Sequence, residues 1–183
     1  MQSIQHAISE SMRLIAAIEA GSLSKSEITS QVSQLFSNEV SARGFMAALG
    51  TSNVVLSGEA NEGLLDGLRQ HQEVAYDLLV KNIIMSASAA VNHAENGNAE
   101  QQAESEHVTE RCVAIAKELK DPSLIAKVEE VLAAIHKFEE DPKTKHDTHA
   151  IWFNFFERWG YEGRHLQAAK PHVKGLLDKL KGL

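Results

Sequence analysis

The sequence predicts an all-α protein, with roughly six to eight helices in a bundle-like globular domain. Apolar residues recur every three or four positions in nearly every segment, as is typical of amphipathic helices. The 183 residues include only three prolines. Runs of β-branched residues are few, and Ala, Leu, Glu and Lys are abundant, which favours helices over strands.

The first 50 residues predict two helices. The first covers residues 2–20 and is closed by Gly21, a residue suited to a helix C-terminus. Ser24 and Glu27 form a capping box that begins a second helix, which the apolar stripe extends to about Leu49. We interpret residues 1–50 as an N-terminal helical hairpin that packs on the main domain or stands apart, and residues 51–183 as the main helical bundle domain.

Residues 60–95 predict a long helical region with a break near 69–72. One unbroken helix there would be about 54 Å long, which is long for a small domain. Its second part, about 73–95, is apolar or small almost all round, and a helix without a polar face is a buried one. We therefore expect a buried central helix. Its most apolar stretch, residues 78–91, is too short to span a bilayer and contains Lys81.

Turn and capping residues divide the rest of the chain. Gly97 and Asn98 separate the central helix from one that runs to about Leu119. Asp121 as N-cap and Pro122 in the first turn begin the next helix. The aromatic segment that follows predicts another helix, ended by residues 160–163, and a terminal helix comes last, with a restart expected at Pro171.

Residues 151–165 hold six of the ten aromatic residues of the chain. On a helical wheel the apolar side chains sweep about 200°, so this helix must be covered on two sides. Trp159 and Phe155 lie mid-arc and are expected in a core, whereas Phe153 lies at an edge where a partner could bind. A core wedge, a partner interface and a ligand pocket all fit. Because Trp, Tyr and Arg are enriched at binding hot spots, the candidate partner- or ligand-binding residues are Trp152, Phe153, Phe156, Trp159, Tyr161 and Arg164.

Three polar residues of the central region are candidates for a polar core or pocket. His71 and Asn82 fall on its apolar face, where a buried polar group needs either a hydrogen-bond partner or a ligand. His93 lies near the end of the helix, where the terminal carbonyls favour a positive or donating group.

Two E-x-x-H pairs suggest a di-metal bundle site as an alternative. Such a site uses two pairs of this kind and one glutamate from each of two further helices, all projecting inward. Here one pair opens a polar helix and the other lies between two glycines, so we predict no metal and no cofactor. The residues of the alternative are Glu104, His107, Glu162 and His165.

The remaining motifs favour binding over catalysis. No glycine-rich nucleotide loop and no nucleophile elbow occurs. The net charge is −7, which repels nucleic acid and anionic membranes. Cys112 is the only cysteine, as expected in a reducing cytoplasm. We expect a cytoplasmic, non-catalytic binding, adaptor or regulatory protein that forms a homo-oligomer or binds another protein. A small-ligand-binding or metal-dependent helical enzyme is the alternative.

Overall fold

The computed structural model describes residues 3–54, 57–142 and 149–182. This part of the chain contains nine helices and no strand, which confirms the all-α class and exceeds the predicted six to eight helices. The helices are α1 (Ile4–Glu19), α2 (Lys25–Leu35), α3 (Glu39–Thr51), α4 (Gly58–Arg69), α5 (Gln72–Glu95), α6 (Ala99–Leu119), α7 (Pro122–Glu140), α8 (Ala150–Arg158) and α9 (Gly163–Lys181).

The extra helices arise partly from residues 25–51, which form two helices where one was predicted. Asn38 lies between them in an extended conformation, and its side chain accepts a hydrogen bond from the backbone N–H of Ser41 at 3.1 Å. An Asn that caps a new helix also ends the preceding one, because its own backbone is not helical. The apolar stripe continues across this break, so periodicity alone missed it.

The predicted helix boundaries at capping residues are confirmed. Ser24 Oγ accepts from the backbone N–H of Glu27, and the Glu27 carboxylate accepts from the backbone N–H of Ser24 at 2.8 Å. Asp121 accepts from the backbone N–H of Ser123 at 2.8 Å, and Pro122 is the first helical residue. α6 ends at Leu119, after which Lys120 adopts a left-handed conformation with φ of 47°.

The chain divides into two compact units, Met1–Leu79 and Val80–Leu183. The division falls inside α5, whereas the boundary predicted from the sequence lies at residue 50, near the end of α3. α5 therefore contributes its first part to one unit and the rest to the other. It is 24 residues long, so by length and composition it could cross a membrane, although more than half of its most apolar window is buried.

In the first unit, α1 packs on α3 and α2 packs on α4. Glycines make these contacts close. A Cβ at Gly44 would lie 2.5 Å from the Cβ of Ala7, and a Cβ at Gly67 would lie 2.7 Å from the Cβ of Val32. Large apolar side chains fill the interior of this unit, among them Ile28, Phe36, Phe45, Met46, Leu49, Leu64, Leu65, Leu68 and Tyr76.

In the second unit, α7 packs on α9 and on α8. Ion pairs join Lys170 to Glu139 and Lys181 to Glu129, so α7 and α9 run antiparallel. The predicted restart at Pro171 is wrong, because α9 continues through this proline. Pro171 is exposed, and the helix is held on both sides of it by buried residues such as Leu166 and Val173.

Candidate functional site: a hydroxyl-lined groove and the polar side chains of α5 and α9

The aromatic helix α8 lies largely in the interior of the second unit. Trp152, Phe153, Phe155 and Phe156 are all buried. Phe138 of α7 contacts two of them, with its ring centroid 5.5 Å from those of Phe153 and Phe156. Most of the aromatic surface of α8 is therefore buried, in part against Phe138 of the same unit.

Two positions on α8 differ from the wheel-based expectation. Phe153, expected at an edge, is only 2% exposed, whereas Trp159, expected in the core, is 48% exposed. Trp159 follows the last helical residue as the C-cap, so the angular spacing of a helix no longer decides where its side chain points. Ile151, near the helix start, is 66% exposed.

Lys81 of α5 lies over two of the buried rings of α8. Its Nζ is 5.9 Å from the ring centroid of Trp152 and 5.6 Å from that of Phe155. An ammonium group over an aromatic face is attracted by the negative ring surface. This contact accounts for a lysine in an otherwise apolar stretch.

His165 is buried, and both of its ring nitrogens are hydrogen-bonded. Nδ1 accepts from the backbone N–H of Glu162 at 2.9 Å, which requires the proton to be on Nε2 in the neutral ring. Nε2 then donates to Oδ1 of Asn92 on α5 at 2.9 Å. Burial, with the charge of Arg164 adding to it, lowers the pKa of His165. The imidazole thus connects the start of α9 to α5.

Tyr161 and Arg164 lie around this histidine. The Tyr161 ring is 5.7 Å from that of His165, and burial raises the pKa of Tyr161 to about 12, although the nearby Ser88 hydroxyl opposes the shift. Arg164 forms ion pairs with Glu95 and Glu162. His165 and Arg164 thus each have polar partners within the unit, and the hydrogen bonds of the buried histidine are of the kind that ordinarily stabilise a buried polar group.

The four residues of the di-metal alternative do not converge among the described residues. No group of three or more His, Cys, Asp or Glu side chains placed to hold a metal occurs in the described part of the chain. Glu104 is exposed, His107 is half-buried, and His165 uses both nitrogens for hydrogen bonds. Glu162 is the N-cap of α9, so its place between two glycines marks the start of a helix.

Of the three polar candidates, His71 has the most informative surroundings. It lies in the turn between α4 and α5, and its Nε2 is 2.9 Å from Oγ of Ser33 on α2. The buried ring of Phe36 stacks on the imidazole, with centroids 6.3 Å apart and planes at 28°. Asn82 and His93 are half-buried. The sequence predicts that His71 has either a hydrogen-bond partner or a ligand, and in the structure Ser33 is its hydrogen-bond partner.

Ser33 also lines a groove of about 710 Å³ in the first unit. Half of its lining residues are hydroxyl-bearing residues of α2, and the others are the N-cap and first residue of α2, one residue of α4 and one residue of the turn after α4. The lining residues are Ser24, Lys25, Ser26, Thr29, Ser30, Ser33, Glu59 and Gln70. Grooves of several hundred cubic ångströms are of a size that takes small molecules.

Some of the charged side chains at this groove form ion pairs and others do not. Lys25 Nζ is 2.9 Å from Oδ2 of Asp66, and that hydrogen bond lowers the pKa of Asp66 and raises the pKa of Lys25. Arg69 is 2.9 Å from the other oxygen of Asp66. Within the described residues, Glu59 of the lining has no ion pair. Glu59 and Glu62 are exposed carboxylates near the groove, and the charges of both act on Lys25.

Sequence reasoning missed this groove, although a signal for it exists. Ser26, Thr29, Ser30 and Ser33 follow spacings of three and four, which place their hydroxyls along one face of α2. The apolar stripe of this helix, which the sequence analysis uses, does not include these positions. The polar stripe beside it carries the pattern that lines the groove.

The described part of the chain is thus all-α, with a groove in its first unit that is lined in part by hydroxyl-bearing side chains. The family model described as "Uncharacterised conserved protein UCP020893" matches residues 3–176. Because the match covers nearly the whole chain, the protein belongs to that family. No curated protein and no solved structure matches the chain.

Proposed function

We propose that the protein acts by binding and that the groove of its first unit holds a small cationic ligand that also carries hydroxyl or amide groups. The observation that supports this most directly is the state of three lining side chains. Ser30, Glu59 and Gln70 are exposed, and among the described residues their polar side-chain atoms have no hydrogen-bond or ion-pair partner. They are available to a ligand without loss of an internal bond.

The charge of the groove selects the class of ligand. Lys25 is hydrogen-bonded to Asp66, whereas Glu59 acts on Lys25 only through its charge and has no ion pair among the described residues, so we expect an anionic ligand to be disfavoured. A protonated amine attracted by Glu59 would place its other polar groups within reach of the α2 hydroxyls. Amino sugars and polyamines have this combination of groups.

Calorimetric titration of the full-length protein with a panel of amino sugars, polyamines and uncharged polyols tests this proposal. We expect saturable binding of at least one amine-bearing compound, and loss of most of that affinity in Glu59→Gln. Gln31→Ala is the matched control, since Gln31 is exposed on α2 but does not line the groove. Equal binding by the Glu59→Gln variant, or no binding by any compound, would rule the proposal out.

We also propose that the protein is a cytoplasmic homo-oligomer, as an adaptor or regulator would be. The exposed apolar side chains of Ile151 and Trp159 on α8 support a contact with a second copy. The buried, unpaired thiol of Cys112 is consistent with a reducing compartment. Sedimentation velocity of the wild type and of Trp159→Asp tests the contact. A larger species that the substitution dissociates supports it, and a monomer at all concentrations contradicts it.

A further inference from the structure

We propose that Ser33 and His71 form a nucleophile–base pair that accepts an acyl group from an ester bound in the groove. This inference rests on the groove being the ligand site, as proposed above. The supporting geometry is the 2.9 Å distance between Oγ of Ser33, which lines the groove, and Nε2 of His71, which is not itself a lining residue. That distance lies within the range in which a histidine can take a proton from a serine hydroxyl.

Our proposal places the proton of the neutral His71 ring on Nδ1, so that the Ser33 hydroxyl donates to Nε2 and not to a carbonyl of its own helix. Ser and Thr side chains inside helices often donate to the carbonyl four residues earlier, as Thr29 does with Lys25. Ser33 has His71 as its side-chain partner. Because Ser33 lines the groove, its Oγ is the atom that we assign to the attack on a bound carbonyl carbon.

The imidazole of His71 is oriented by packing. Phe36 stacks on one face of the ring, and Phe36 is itself held edge-on by Phe45, with centroids 6.0 Å apart. Both phenylalanines are buried. In nucleophile–base pairs a third group usually orients the base through a hydrogen bond. Here an aromatic stack gives the ring its fixed plane.

Gln70 supplies the group that the oxyanion would need. It precedes His71 in the chain, lines the groove and is exposed. Its side-chain amide has two N–H donors. One donor aimed at a developing oxyanion is worth roughly 10²–10³ in rate in characterised acyl-transfer enzymes.

The proposed step begins when Ser33 Oγ forms a bond to the ester carbonyl carbon while its proton moves to His71 Nε2. The carbonyl π electrons move to the oxygen, and when they return the bond to the alkoxide breaks. The alkoxide takes the proton from His71 and leaves as an alcohol, so that Ser33 is acylated. Water attacks the acyl group, with His71 again taking the proton, and the carboxylic acid leaves as Ser33 regains its hydrogen.

The test is incubation of the full-length protein with p-nitrophenyl acetate, with release of nitrophenolate and the site of acetylation measured by peptide mass spectrometry. We expect acetyl on Ser33. We expect no nitrophenolate release above background in Ser33→Ala, and an initial rate about 10²–10⁴-fold lower in His71→Gln. Two matched variants, Ser37→Ala and His6→Gln, alter exposed residues outside the groove and should keep the wild-type rate.

Acetylation confined to lysines or spread over exposed serines would overturn the proposal. So would a wild-type rate in His71→Gln. Mapping on the wild-type protein needs no variant, so its result stands even if a substitution prevents folding. The amine titration of the wild-type protein separates the two proposals. Amine binding without acylation of Ser33 would reject only the catalytic pair, whereas failure of every amine to bind would reject the groove as the ligand site.

Discussion

The thiol of Cys112 has no access to solvent, and burial raises its pKa to about 12. Only the thiolate is a good nucleophile, so this cysteine should be inert in the folded protein. We expect no reaction with a disulfide reagent such as DTNB in native buffer within an hour or so, and one equivalent in denaturant. Rapid reaction of the native protein would mean that α6 opens readily.

His165 should make stability depend on pH. Burial lowers its pKa in the folded state, with Arg164 adding to the effect and Glu162 and Glu95 opposing it. The unfolded chain therefore binds a proton more readily than the folded protein at pH values below the ordinary value of about 6.5. The free energy of unfolding should then fall as the pH falls through that range, and be fully regained above it.

Urea unfolding at several pH values between about 7.5 and about 5.5 measures this dependence. We expect the decline to be shallower in His165→Gln, which cannot become charged, than in the wild type. His172→Gln, a change at an exposed position of the same helix, should keep the wild-type slope. Identical slopes in all three proteins would show that His165 does not contribute to the decline.

Sequence reasoning identified His71 but not its partner, and this limit has a physical cause. A polar residue on an apolar face must find a partner, so the demand is visible in the sequence. The identity of the partner depends on how α2 meets the turn before α5, 38 positions away in the chain. That is a tertiary contact, which local spacing does not contain. The hydroxyl stripe on α2, by contrast, is local and could have been found.

At the scale of an element, the contact between α2 and α4 depends on glycine. A Cβ at Gly67 would lie 2.7 Å from both Cβ and Cγ1 of Val32, too close for the two helices to keep their separation. We expect Gly67→Ala to lower the free energy of unfolding by about 1–3 kcal/mol through overpacking. Thermal or chemical denaturation measures the change.

Gly175 of α9 provides the matched control. It is also inside a helix, but nothing lies within 4 Å of a Cβ built there. Alanine is the better helix former, so Gly175→Ala should raise stability by about 0.5–1 kcal/mol. If both substitutions stabilise the protein, the packing described for α2 and α4 is not as close as the geometry indicates.

Helix ends were predictable where a side chain forms the cap, and less so elsewhere. The caps at Ser24 and Asp121 mark helix starts by local hydrogen bonds, and both predicted starts are confirmed. The break before α5 was predicted because a single helix there would be too long, and it is also confirmed. Asn38 forms the same kind of cap, but the apolar stripe continues across it. Because of that continuity, one helix was predicted where the structure has two. Trp159 shows the opposite error, because a wheel was extended one residue past the end of a helix.

At the scale of the whole molecule, the net charge predicts that the protein does not bind nucleic acid. The net charge is −7, and four of the five basic side chains of residues 163–183 are ion-paired with carboxylates. No concentrated basic surface is left on α9 to neutralise phosphates. We expect no change in the fluorescence anisotropy of a labelled DNA duplex with protein up to about 10 µM at roughly 0.1 M salt. Saturable, salt-sensitive binding would contradict this expectation.

The residue after α6 is a position at which one substitution should raise the melting temperature. Lys120 occupies the left-handed backbone region, where a residue with a Cβ is strained by about 1–2 kcal/mol and glycine is not. Part of the gain from glycine is lost to the greater freedom of the unfolded chain, which leaves about 0.5–1 kcal/mol. Lys120→Gly should then raise the melting temperature by about 1–4 °C for a chain of this length, as differential scanning calorimetry would measure. We therefore expect the natural protein to have a lower melting temperature than a variant with the same backbone conformation and glycine at this position.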